Sequence, residues 1–255
     1  MHILITNDDG VFAPGLLVLA QELRKVGKVT IVAPDHNWSA SGHVKTLSRP
    51  MRVKEVTLAD GSSAFACDGA PSDCVALPVL GLLPEPIEFV VSGINPNANL
   101  GHDVTYSGTV TAAMEAVIWK IPAIAVSLDA PEYHSGLLDY ATAAQVAAKI
   151  VQTVTCHGLP PGVLLNINVP YLTMSELKGY VITRQGLRVY SDELIRREDP
   201  RGRPYYWIGG DAPTGVPEDG TDVGELKKGY VSITPLSMDL TAYASIDVLT
   251  GWHIA

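Results

Sequence analysis

The spacing of apolar and polar positions changes along this chain, and each change marks an element. Residues 2–6 form a short apolar run that ends in Asn7-Asp8-Asp9-Gly10, which predicts a buried parallel strand. Pro14 is placed to start a helix, and Leu16, Leu19, Ala20 and Leu23 then recur at helical spacing until Gly27. A second apolar run over 28–34 completes a strand-helix-strand unit, which predicts a parallel sheet with right-handed crossovers. Residues 45–66, with Asp60-Gly61 at their centre, read as an antiparallel hairpin laid beside that sheet. Further on, a helix is expected over Pro71–Leu83, a buried strand over about 88–92 and an amphipathic helix over 109–120. Strands at 123–128 and 163–170 flank another helix marked by Tyr140, Ala143, Ala144, Ala147 and Val151.

The pattern breaks after about residue 171. Residues 184–228 are rich in Arg, Gly, Pro and Asp and show little periodicity, before a strand near 229–236 and a closing helix over Asp239–Trp252. This predicts an α/β core over 1–170, and over 171–255 an extension that packs on a neighbour and is not an independent domain.

Composition narrows the classes. An apolar share of 47% over 255 residues is enough for one large core. The net charge of −9 excludes a general binder of nucleic acid duplexes, because the chain would repel the phosphate backbone. Cys67, Cys74 and Cys156 match no zinc spacing and read as inert thiols of a reducing compartment. No apolar run reaches the ~18 residues that span a bilayer, since Glu115 and Lys120 interrupt the longest candidate. Two carboxylates by position 9 argue against a secretory leader, so a soluble cytoplasmic protein with no membrane partner is expected.

Open parallel sheets bind ligands at the carboxyl ends of their strands, and three polar clusters fall there: Asn7–Gly10, Asp35–Ser39 and Ser92–Asn95. The adjacent carboxylates Asp8 and Asp9 repel each other unless a cation relieves them, and oxygen donors suit magnesium or manganese better than zinc. Capping of the following loop by the same pair is the alternative. Ser107-Gly108-Thr109 precedes the helix over 109–120, so its N–H groups either bind an anion or are capped by those hydroxyls. His43 and His102 are candidate proton carriers, or surface side chains. Arg184, Arg188, Arg196, Arg197, Arg201 and Arg203 attract an anionic substrate or lie on a solvated or subunit-bridging loop. Tyr205, Tyr206 and Trp207 stack on a base or simply pack. No dinucleotide fingerprint, phosphate-loop motif or nucleophile elbow is present.

The ordered blocks ITNDDG, VAPDHNWSASG, GAPSDCV, SGINPNANLGHDVTYSGTVTAAMEA, LLNINVP, DPRGRPYYWIG and GTDVGELKKGYVSITPLSMDLTAY run from end to end. Together they resemble the SurE family of stationary-phase survival proteins, which act as 5'-nucleotidases. The resemblance implies a Rossmann-like three-layer core. It also implies a C-terminal extension, with a β-hairpin, that exchanges between subunits to give dimers or tetramers. It further implies hydrolysis of nucleoside 5'- and 3'-monophosphates, and of polyphosphate in some members. One divalent cation, Mg²⁺ or Mn²⁺, would then be held by Asp8, Asp9, Ser39 and Asn95, with Asp8 and Asp9 as the catalytic pair. Asn99, Ser107, Gly108 and Thr109 are expected to hold the phosphate. The nucleophile is either water or an aspartate. Asn97 stands where the family motif has glycine; if that backbone needs a positive φ, asparagine is the non-glycine residue that tolerates it best. A nucleotide-sugar transferase and a non-catalytic phospholigand sensor are the rival functions.

Overall fold

The computed structural model describes residues 1–252, apart from the side chains of 211 and 212, so the last three positions of the 171–255 extension lie outside the described residues. The elements run β1 (His2–Thr6), α1 (Pro14–Leu23), β2 (Lys28–Pro34), β3 (Val53–Thr57), β4 (Ser63–Cys67), α2 (Pro71–Leu77), β5 (Phe89–Asn95) and α3 (Gly108–Ile118). They continue through β6 (Ala123–Asp129), α4 (Ala141–His157), β7 (Val163–Pro170), β8 (Tyr180–Ile182), β9 (Arg188–Glu198), β10 (Pro204–Gly215), α5 (Asp222–Lys227), β11 (Val231–Ser237) and α6 (Tyr243–Thr250).

A nine-stranded sheet has the order β3-β4-β2-β1-β5-β6-β7-β11-β8. From β4 to β7 every pairing is parallel, while β3 and β11 join antiparallel. Within β1, Ile3 and Ile5 pack with α1 and α4 on one face, and Leu4 packs with α2 and α3 on the other. Burial on both faces is why these strands read as continuous apolar runs. The chain leaves β1 for β2 on one side, and β5 lies on the other. The reversal of strand order therefore falls beside β1, and at such a point the crevice outside the carboxyl ends accepts ligands.

Four expectations shift. The hairpin at 45–66 is shorter, and β4 pairs parallel with β2, so it forms the sheet's edge. The α2 helix stops at Leu77 because Pro78 brings no N–H to the ladder, and a wider turn follows to Leu82. The closing helix begins only at Tyr243, since Asp239 folds back to accept the N–H of Thr241 at 2.9 Å. Residues 188–215, aperiodic in sequence, form the long antiparallel hairpin β9–β10. Both β8 and β11 belong to the main sheet, so the segment after 170 helps to complete it. No helix among the described residues is long and apolar enough to cross a membrane.

Candidate active site

At the end of β1 the buried Asn7 closes the turn on itself: its Nδ2 donates to the Gly10 carbonyl at 3.0 Å and its Oδ1 accepts the Gly10 N–H at 3.2 Å. The Val11 N–H then bonds the Pro34 carbonyl at 2.8 Å, fixing this loop to β2. Asp8 and Asp9 are presented between these restraints. The Asp8 side chain, 3% exposed, turns toward the start of α3, where the Thr109 hydroxyl donates to its Oδ1 at 2.5 Å. A Cβ on Gly108 would lie 2.6 Å from the Asp8 Cβ, so only glycine lets the carboxylate approach the helix N-terminus this closely.

Burial pushes the Asp8 carboxyl above its usual range, and the Thr109 hydroxyl with the N–H groups of Thr109 and Gly108 offsets part of that. Burial and then the charge of Asp8 push Asp9 up to about 7. No basic side chain among the described residues acts on either group. Two adjacent, poorly solvated carboxylates relieved by a single helix end are a charge arrangement that a cation suits. No cluster of three or more His, Cys, Asp or Glu side chains able to hold a metal occurs among the described residues. A cation here therefore needs hydroxyl and amide oxygens as well. Ser39, in the loop after β2, and Asn95, at the end of β5, carry oxygens of these kinds. The Trp38 N–H bonds the Asp8 carbonyl at 2.8 Å, which brings the Ser39 turn to β1. Asn95 ends β5, and its Nδ2 donates to the Asn97 carbonyl at 2.5 Å, leaving Oδ1 as the available acceptor.

Ser107 caps α3 by accepting the Val110 N–H at 3.1 Å, and its own proton is uncommitted among the described residues. Thr109 is committed to Asp8. Asn99 lies in the same rim but is held inward: Nδ2 donates to Ser127 at 2.8 Å, and its backbone bonds Asn166 and Asn168.

A family model described as Survival protein SurE matches residues 3–192. The chain belongs to the SurE family. A protein of Herpetosiphon aurantiacus named 5'-nucleotidase SurE is 54% identical over 241 residues, covering 94% of each chain. One of the same name from Chloroflexus aggregans is 50% identical over 253 residues, covering 99% of each. A crystal structure of the SurE protein from Aquifex aeolicus superposes with a TM-score of 0.83 at 38% identity, covering 99% of each chain. The α/β fold expected from sequence is therefore the fold of this family.

In this SurE chain the departure at Asn97 needs no special backbone, because the positive-φ non-glycine residues among those described are Ala40 and Lys120. His43 does not face the carboxylate pair; its Nε2 bonds Glu115 at 3.1 Å. His102 is exposed on a short turn before α3. Arg184, Arg188, Arg196 and Arg203 pair with Glu218, Asp103, Glu198 and Asp199. Tyr205, Tyr206 and Trp207 lie exposed on β10. Two buried carboxylates, Asp222 and Glu115, were given no role in the sequence reading. Asp222 accepts the N–H groups of Gly101 and Gly186 at 2.8 and 2.7 Å, tying the rim to the extension. Glu115 anchors the loop after β2. A charge at an interior position of an apolar helical run was the signal for Glu115.

Proposed function

We propose that this chain is a nucleotidase that hydrolyses nucleoside 5'-monophosphates to nucleoside and phosphate. Nucleoside 3'-monophosphates and polyphosphate are further candidate substrates. One divalent cation, Mg²⁺ or Mn²⁺, is held by Asp8, Asp9, Ser39 and Asn95. The observation behind this reading is the buried pair Asp8-Asp9 at the switch point, without a basic partner among the described residues, beside the start of α3. The 5'-nucleotidase names of full-length relatives at about half identity supply the substrate class.

A cation so held supplies charge neutralisation for the phosphoryl group. The remaining tasks fall to the chain itself. Asp8 is locked by Thr109 and serves as anchor. Asp9, half-buried and without a hydrogen bond among the described residues, keeps its carboxylate oxygens available to that cation. The Ser107 hydroxyl and the N–H groups of the first turn of α3 are the donors for phosphate oxygens. Asn99 contributes by fixing the rim between β5 and α3. The hairpin and α6 leave apolar side chains in water, which supports a homodimer or homotetramer built through the extension.

The test is a panel of nucleoside monophosphates, sugar phosphates and polyphosphate assayed for free phosphate, with Mg²⁺, Mn²⁺ or a chelator. Phosphate release from the 5'-monophosphates that stops on chelation is expected. Replacing Asp8 by Asn should lower turnover by roughly a thousandfold or more with the fold retained. Metal-dependent turnover surviving in that variant removes the assignment. Saturable nucleotide binding without phosphate release assigns a sensor instead.

A further inference from the structure

Glu115 lies in the last turn of α3 with no exposed surface, close in sequence to the buried Ala112, Ala113 and Ala116. An unpaired carboxylate is not tolerated in such surroundings. Three donors meet it: His43 Nε2 at 3.1 Å, Lys45 Nζ at 2.7 Å and Trp119 Nε1 at 2.8 Å. Burial alone would raise its pKa. The three bonds and the Lys45 charge outweigh that and hold it at about 2.

Two of these donors come from outside the helix, from the segment 35–50, which has neither helix nor strand and is largely exposed. This strap also bears Ser39. It touches the core at few points. The Trp38 N–H bonds the Asp8 carbonyl. The Gly42 N–H bonds the Tyr106 carbonyl at 3.0 Å, and the Gly42 carbonyl accepts the Thr111 hydroxyl at 3.0 Å. The Thr46 N–H meets the Asp73 carboxylate at 3.1 Å. Between the first two tethers the chain reverses through Ala40 at φ +58°, a left-handed conformation unfavourable for any residue with a Cβ. An exposed turn in that state persists only when its surroundings over-determine it. The α3 helix therefore grips Asp8 at its first turn, and in its last turn it grips the strap that carries Ser39.

We infer that Glu115 is a positioning residue: acting through His43 and Lys45, it sets where Ser39 stands relative to Asp8, and so sets the affinity of the site for its divalent cation. The inference rests on the metal-site reading given above.

The experiment titrates wild-type and Glu115→Gln chains with Mn²⁺ in the absence of substrate. It also digests the metal-free chains with chymotrypsin, which can cut the strap after the exposed Leu47. The expected result is Mn²⁺ affinity weakened by about 10- to 100-fold, the usual effect of losing a group that orients a metal ligand. Faster cleavage within the strap should accompany it, with most of the wild-type kcat restored at saturating Mn²⁺. The pair His43→Gln with Lys45→Met, which alters only the strap, should show the same loss, and adding Glu115→Gln to it should change little more. The triple variant, which leaves no unpaired carboxylate in α3, also reads the effect if Glu115→Gln alone does not fold. A folded variant that has lost only thermal stability, and binds Mn²⁺ as wild type does, overturns the positioning role alone. A wild-type chain that binds no Mn²⁺ overturns the site reading and this inference together.

Discussion

The first strand and the long hairpin use similar side chains to opposite ends. Ile3, Leu4 and Ile5 have no exposed surface, whereas Leu194 and Ile208 on β9 and β10 are 72% and 82% exposed. On β1, helices cover both faces of the sheet, and every apolar group finds a neighbour. On the hairpin, Trp207 pairs with Ile195 and Ile208 with Leu194, so apolar pairs occupy successive positions and neither face is consistently polar. A two-stranded ribbon alone in water is at best marginally stable. The difference teaches that an apolar strand residue is core only if another layer meets it. The apolar side chains beneath the rim are covered within the chain, whereas those of the hairpin are left exposed by it.

The rim should therefore break under a change that the hairpin absorbs. Adding a methyl group as Gly108→Ala places a Cβ 2.6 Å from the Asp8 Cβ and 2.9 Å from Oδ2. Asp8 must move, and a displacement of even an ångström at a reacting site costs about 100-fold in turnover. Steady-state kinetics with saturating Mn²⁺ measures this. Gly202, at the turn between β9 and β10, also has a positive φ of +74° but has no atom within 4 Å of a built Cβ. Its change to Ala should cost about 1 kcal/mol of local stability and leave kcat alone.

This contrast also explains what the sequence made legible. Strands buried on both faces appear as unbroken apolar runs, so β1, β2 and β7 were found with their ends and β6 to within one residue, and the polar residues beyond them marked the rim. Asp8 and Asp9 stand just past such a run and Asn95 closes another, whereas their grouping with Ser39 as one site came from the family resemblance. The hairpin was not, since solvent on both faces removes the two-residue alternation by which strands are found. The α5 helix, only six residues long, is held by the buried carboxylate of Asp222 and has too few turns for a helical stripe. Glu115 entered the sequence reading only as a charge interrupting an apolar stretch, because its partners His43 and Lys45 lie about seventy residues away. Contacts made at that distance leave no local pattern.

A second test bears on the hairpin. If its apolar residues await a second copy, replacing Trp207 and Ile208 together by Ser should weaken self-association by about 2 kcal/mol or more, since aromatic anchors dominate interfaces. Light scattering across a range of concentrations would show the shift toward monomer. A wild-type chain that stays monomeric at every concentration would end the comparison, because exposed apolar pairs would then need no cover.

The smallest expected effect concerns the rim in the absence of metal. Burial and the neighbouring Asp8 charge push Asp9 up to about 7. An acid whose folded pKa lies above its unfolded value holds its proton more tightly in the folded chain. The stability this adds is complete below the unfolded value and disappears as pH rises through the folded one. Glu115, held at about 2, works with the opposite sign, but its contribution is already complete above the usual carboxylate range. Between about pH 5 and pH 7.5, then, the raised carboxyls of Asp9 and Asp8 set the slope, and the chelated chain should lose on the order of 1–2 kcal/mol from Asp9 after solvent screening at its half-buried position. Thermal melts of the chelated chain across that range should show Tm falling with pH. The Asp9→Asn chain should show a flatter profile, because only Asp8 is left there to ionise. Added Mn²⁺ should reverse the slope, since a cation favours the ionised form and stabilises the chain more as pH rises. A chelated wild-type chain whose Tm rises over the same range would mean that Asp9 is ionised without help, and the case for a cation at this rim would lose its electrostatic ground.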